Sequence, residues 1–236
     1  MKPLSDCRLY TFVDSAYLNG RDVASIAQQL CDGGSDIIQL RAKNSSSDEI
    51  RRMAEIVLPI TQNAGVSLVI NDHLQIAQEI GAEFCHLGQE DFFDAGFTHV
   101  SQLNSRSSRR ESAHSLPQND QSRFTSAATM IKIGLSTHAP AQAERAIAAG
   151  ADYVAIGPIY ATGTKPTAKP VTLDYIQWAA ANVKIPWFAI GGINLQNLND
   201  VLAAGAKRIC VVSAILNSSN VAKTCQTFKN RLLSAA

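Results

Sequence analysis

The sequence carries almost no net charge: 21 lysines and arginines against 20 aspartates and glutamates leave +1 over 236 residues. That balance gives no reason to expect a nucleic-acid partner or a charged membrane surface. There is no apolar run long enough to span a bilayer, and Met1 to Phe12 lacks the apolar core of a secretion signal. There is no C-x-x-C pair. The cysteines (Cys7, Cys31, Cys85, Cys210 and Cys225) are odd in number and dispersed, which argues against a disulfide framework and for a reducing cytoplasm. Cys85 and Cys210 sit inside apolar runs and read as small buried hydrophobes. Nor does a glycine-rich dinucleotide fingerprint follow the first strand, where Asp14-Ser-Ala-Tyr-Leu-Asn-Gly20 stands instead.

What is present is a hydrophobic content of 46%, ample for one large core, and a repeated joint. Cys31-Asp-Gly-Gly-Ser-Asp, Ile80-Gly-Ala-Glu, Ala149-Gly-Ala-Asp and Ala204-Gly-Ala-Lys each close a helical pattern with glycine and enter an apolar strand. Glycine there permits the left-handed turn that ends a helix, so the repetition predicts βα units around a parallel sheet. Strands are expected at 8–13, 36–40, 67–71, 84–87, 131–135, 153–156, 187–190 and 208–212. Helical patterns include 23–30, 48–63, 140–149, 173–181 and 195–204, with Pro59 kinking the second or marking its last turns. The reading is an α/β fold, a single (β/α)8 TIM barrel over residues 1–236, with an open doubly wound sheet as the alternative. Residues 101–128, polar and without apolar periodicity, read as a flexible surface insertion between strands 4 and 5, after a short helix at 95–103. The insertion is expected neither to cover nor to crowd the site mouth.

In such a barrel function sits where strands end. Strand two ends in Gln39-Leu-Arg-Ala-Lys43, strand three in Asn71-Asp72-His73 and strand four in His86-Leu-Gly-Gln-Glu-Asp91. Ser136-Thr-His138 follows strand five, Gly191-Gly-Ile193 strand seven and Val212-Ser-Ala214 strand eight. Strand six, Tyr153–Ile156, runs into Gly157-Pro158 and then Thr162-Gly-Thr-Lys165, a loop whose hydroxyls, amides and ammonium suit phosphate. Each junction alone has a plainer explanation. Asn71-Asp72 suits a helix cap, His73 a helix start, Gln89-Glu90-Asp91 a solvated first turn, and His86 and His138 satisfied histidines near the core. Together they describe two anion sites. One is a glycine and serine cup at strands seven and eight. The other gathers Arg41, Lys43 and Lys165 beside the carboxylates Asp72 and Asp91. Two carboxylates in a cationic cluster make sense with a Mg2+ between them and a diphosphate. The chemistry implied is the joining of two phosphorylated molecules or the expulsion of diphosphate from one.

With these motifs in this order, plus Leu9-Tyr10 on strand one, the chain resembles the thiamine phosphate synthase family over all but the insertion. The resemblance implies Mg2+-dependent coupling of a hydroxymethylpyrimidine diphosphate to a thiazole phosphate, with diphosphate leaving first and the thiazole nitrogen attacking the resulting cation. Carried over by position, Gln39, Leu40, Arg41, Ala42, Lys43, Asn71, Ser136 and Lys165 would bind the pyrimidine diphosphate. Thr162, Gly163, Thr164, Gly192, Val212 and Ser213 would bind the thiazole phosphate, and Asp72 and Asp91 the metal. Lys165, Arg41 and Lys43 would stabilise the leaving group. Ala42 stands where many relatives are acidic, yet its side chain should face away from its cationic neighbours. The partners expected are the two phosphorylated substrates, with no nucleic acid and no membrane; a homo-oligomer is left open. The competing readings are a thiazole tautomerase on the same barrel, using His138 as acid and base, and a non-catalytic phosphometabolite-binding barrel.

Overall fold

The structure is a computed structural model that describes residues 2–103, 130–163 and 169–235. Most of the insertion at 101–128 therefore lies outside the described residues, as do Thr164 and Lys165.

Eight parallel strands close on themselves in sequence order: β1 (Leu9–Asp14), β2 (Ile37–Arg41), β3 (Ser67–Asn71), β4 (Phe84–Gly88), β5 (Lys132–Thr137), β6 (Tyr153–Ile156), β7 (Trp187–Ala189) and β8 (Ile209–Cys210). The barrel expected from the sequence is the barrel found, and the open sheet is excluded by the β1–β8 pairing of Leu9 with Ile209. The glycines at the four joints do what the pattern requires. Gly34, Gly81, Gly150 and Gly205 all have φ between 73° and 107°, where a Cβ is strained.

The helices whose bounds lie within the described residues are α1 (Val23–Asp32), α2 (Ser47–Asn63), α3 (Leu74–Ile80), α4 (Gln89–Asp94), α5 (Pro140–Ala148), α6 (Thr172–Asn182), α7 (Leu198–Ala203), α8 (Ser213–Leu216) and α9 (Val221–Ser234). Helix α2 starts in a reciprocal cap, with Ser46 accepting from the Glu49 amide and Glu49 from the Ser46 amide, and Pro59 falls one turn before its end. One boundary is corrected. A helix not expected from the sequence, α4, starts at Gln89 directly off β4, and the chain turns at Gly96 with φ 81°. Of the helix expected at 95–103, residues 101–103 are helical whereas 95–100 are not.

Strand alternation sorts the core into two layers. One set of side chains fills the barrel, with Tyr10, Phe12, Val69, Phe84, Tyr153 and Phe188 in a single cluster. The other set, including Val13, Ile38, Leu40 and Val154, packs under the helices. The end of the barrel opposite the site is tied by Asp36, whose side chain is 1% exposed. It accepts from the backbone amides of Arg8 (2.8 Å) and Leu9 (3.0 Å), from Lys2 (2.8 Å), and from Lys229 of α9. All five cysteines are free thiols, and Cys85 and Cys210 are buried as expected.

Candidate active site

The strand C-termini surround a cavity of about 120 Å³. Along β2, period-two alternation turns Gln39, Arg41 and Lys43 to this cavity and Leu40 and Ala42 away from it. Leu40 and Ala42, 1% and 5% exposed, turn their side chains into the layer beneath the helices, as expected for Ala42, so any contact they make with a ligand is through their backbone. Only their backbone stays near the mouth.

Arg41 is held from behind. Its Nη1 donates to Asp14 Oδ2 at 2.7 Å, and the Asp14 side chain is 1% exposed. Asp14 ends β1 in register with Arg41, the last residue of β2. Nothing local in the sequence singles out Asp14 from an ordinary turn acidic residue. Lys43 Nζ approaches Asp72 Oδ2 at 3.8 Å, and Asn71 Nδ2 donates to that same oxygen at 2.6 Å. Asp72 has φ 62°, an uncommon backbone state for a non-glycine residue and one that clusters at functional sites. At the end of β4 the Asp91 carboxylate folds back over Gly88, where a Cβ would come within 2.5 Å of Oδ2. Asp72, Asp91 and Ser136 all line the cavity. Gln89 to Asp91 form the first turn of α4, with Gln89 buried and Glu90 and Asp91 exposed, so the plainer reading of a solvated first turn holds for the two acidic residues even as Asp91 lines the cavity.

The floor is a hydrogen-bonded relay that the sequence reading passed over. Gln39 Nε2 donates to Tyr10 Oη at 2.6 Å, Tyr10 meets Tyr153 at 3.1 Å, and Tyr153 meets His86 Nδ1 at 3.1 Å. Burial pushes both tyrosine hydroxyls well above their ordinary pKa, so each keeps its proton and must donate it. Because Tyr10 already accepts from Gln39, the chain runs Gln39 to Tyr10 to Tyr153 to His86. That polarity makes His86 Nδ1 the acceptor and places the ring proton on Nε2. His138 is fixed differently, with Nδ1 against the Gly157 carbonyl and its amide donating to Gln142 at 2.7 Å. His73 precedes α3 as the residue that starts it.

The opposite wall comes from β6, β7 and β8. Thr162, Gly191, Gly192, Val212 and Ser213 line it, whereas Gly163 is exposed at its edge. Gly191 and Gly192, at φ 102° and 66°, let this wall close: a Cβ on Gly191 would lie 2.4 Å from Pro158 Cα, and one on Gly192 2.7 Å from the Ala161 oxygen. The loop is secured by Asn197 Nδ2, which donates to the Gly192 carbonyl at 3.0 Å. Helix α7 begins at Leu198, three residues after the start expected at 195, and this asparagine-locked turn joins it to the glycine pair.

Among the described residues no group of three or more histidine, cysteine or acidic side chains forms a metal cage. Two carboxylates, Asp72 and Asp91, do line the cavity, and a hard divalent cation that takes its remaining ligands from phosphate oxygens and water needs no more than one or two.

Comparison with known proteins agrees with this layout. The family model described as thiamine monophosphate synthase matches residues 9–98 and 114–215. A thiamine-phosphate synthase of Lawsonia intracellularis is 36% identical over 231 residues, covering 98% of this chain and 94% of its own. One from Halalkalibacterium halodurans is 34% identical over 230 residues, covering 97% of each chain. In fold, the chain is similar to thiamine phosphate pyrophosphorylase from Pyrococcus furiosus, with TM-score 0.76 and 23% identity over 97% of this chain and 96% of that one. The chain belongs to the thiamine monophosphate synthase family.

Proposed function

We propose that the protein condenses 4-amino-2-methyl-5-hydroxymethylpyrimidine diphosphate with a thiazole phosphate, giving thiamine phosphate and diphosphate. One observation carries this reading. A single cavity has a cationic and carboxylate arc on β2 to β5, facing a glycine, threonine and serine arc on β6 to β8. Two such arcs accommodate two phosphorylated ligands side by side. A single-substrate isomerase leaves the first arc without use.

Arg41 and Lys43 take the diphosphate, with Ser136 donating a hydroxyl to it, while Asn71 and Gln39 meet the pyrimidine. Lys165 is assigned to the leaving group on the family resemblance. Thr162, Gly192, Val212 and Ser213 hold the thiazole phosphate, and Gly163 and Thr164 complete that loop by the same resemblance. Asp72 and Asp91 would hold Mg2+, which supplies charge neutralisation on the departing diphosphate when bound. The difficult step builds negative charge on the leaving group, and fixed cations in a water-poor cavity stabilise that charge without reorganising. Diphosphate leaves, and the thiazole nitrogen attacks the pyrimidine-methyl cation. The nitrogen carries no proton, so no general base is required. The free thiols and near-zero net charge suit a cytoplasmic enzyme acting on small molecules, and no described helix is long and apolar enough to cross a membrane.

Incubation with both substrates and Mg2+ tests the reading. Thiamine phosphate is the expected product. Conversion of the thiazole to a tautomer, with no coupled product, would transfer the assignment to the isomerase.

A further inference from the structure

We propose that Asp14 is a positioning residue for the reaction, its carboxylate aiming the Arg41 guanidinium at the diphosphate half of the cavity. The inference rests on the proposed role of Arg41.

Both oxygens of Asp14 are engaged. Oδ2 accepts from Arg41 Nη1 at 2.7 Å and Oδ1 accepts from the Ala16 amide at 3.0 Å, so the carboxylate cannot rotate freely. Its side chain is 1% exposed and that of Arg41 12%, which puts the pair behind the cavity wall while Arg41 also lines the cavity. A buried ion pair is a weak source of net stability, because desolvation offsets its attraction. What it fixes is geometry. Arginine presents five N–H donors in a planar fork on a flexible stem. Fixing Nη1 at the end of β2 leaves the rest of the fork in a set plane, and the β1–β2 register makes that plane a property of the barrel.

Charge and geometry predict opposite outcomes at this position. Asp14 is an anion behind an anion site, so on charge alone its removal strengthens diphosphate binding. On positioning, removal weakens it.

Inorganic diphosphate with Mg2+, titrated calorimetrically into the full chain, reads the pair without any turnover. Asp14→Asn keeps the shape and removes the charge; it is expected to bind diphosphate about tenfold more weakly and to lose about 10- to 100-fold in kcat, the scale of a misplacement near 1 Å. In an Arg41→Met background the same substitution is expected to cost less than about twofold, because the two residues act as one unit. Asp14→Glu, which keeps the charge but shifts the guanidinium by a methylene, is expected to lose diphosphate binding as well, and it serves as the test if the asparagine variant does not fold. Tighter diphosphate binding by Asp14→Asn, wild-type binding by Asp14→Glu, or equal losses with and without Arg41 would each overturn the proposal. A wild-type protein that binds diphosphate but makes no thiamine phosphate would refute the proposed function and leave the Asp14 result readable.

Discussion

Replacing Asp36 by asparagine should destabilise the barrel at the end opposite the site. The carboxylate is almost fully buried and accepts from Lys2, Lys229 and two backbone amides of β1's entry, joining the N-terminal segment to α9. Burial by itself would raise its pKa, but the bonds from Lys2, Lys229, Arg8 and Leu9 outweigh that and hold the carboxyl below its usual range. Asparagine keeps an oxygen for the backbone amides but offers Lys229, whose side chain is 13% exposed, a neutral amide in place of a carboxylate. Breaking one side of a buried pair costs about 3–5 kcal/mol. At about 2–4 °C per kcal/mol for a chain of this size, the melting temperature at pH 7 should fall by roughly 6–20 °C. Lys2 is 56% exposed, so Lys2→Ala should cost no more than about 1 kcal/mol. The pH dependence follows from the depressed pKa. The contribution is fully present above the unfolded-state value near 4 and is lost as pH falls through the lower folded value, so wild type and Asp36→Asn should begin to converge below about pH 4 and meet only below the folded value. Thermal and urea unfolding of both variants measure this. A melting temperature for Asp36→Asn within about 2 °C of wild type at pH 7 would refute the reasoning.

Two site variants separate the roles assigned to the mouth and the floor. Asp91→Asn should lower turnover on the order of 100-fold while changing the dissociation constant for thiazole phosphate less than about threefold, measured by steady-state kinetics and calorimetry. Equal effects on both would count against Asp91 as a metal ligand. Tyr153→Phe leaves the buried Tyr10 hydroxyl without its acceptor and His86 Nδ1 without its donor, and should destabilise the protein by about 1–3 kcal/mol in urea unfolding. An unchanged unfolding midpoint would contradict a stabilising role for the relay.

The barrel was legible in the sequence because its signals are local. Four glycine joints mark helix ends, and alternation along β2 separates Gln39, Arg41 and Lys43 from their neighbours. The same alternation turns the Leu40 and Ala42 side chains under the helices and leaves only their backbone for a ligand. What stayed hidden depends on contacts between distant segments. Tyr10 and Tyr153 are 143 residues apart and meet only because the closed barrel points both inward. Asp14 and Arg41 pair only once β1 and β2 are in register. Helix α4 gives little sequence signal because it is six residues long and opens on the polar run Gln89-Glu-Asp91, with the buried Phe92 only after it.

The claim at the centre of this account is that one cavity holds two phosphorylated substrates and joins them. Its most direct measurement is the stoichiometry of products from the purified protein supplied with the pyrimidine diphosphate and the thiazole phosphate. With Mg2+ present, thiamine phosphate and diphosphate should appear in equal amounts, and both should vanish when a chelator removes the metal. Diphosphate released without thiamine phosphate, or neither product with both substrates bound, would contradict it.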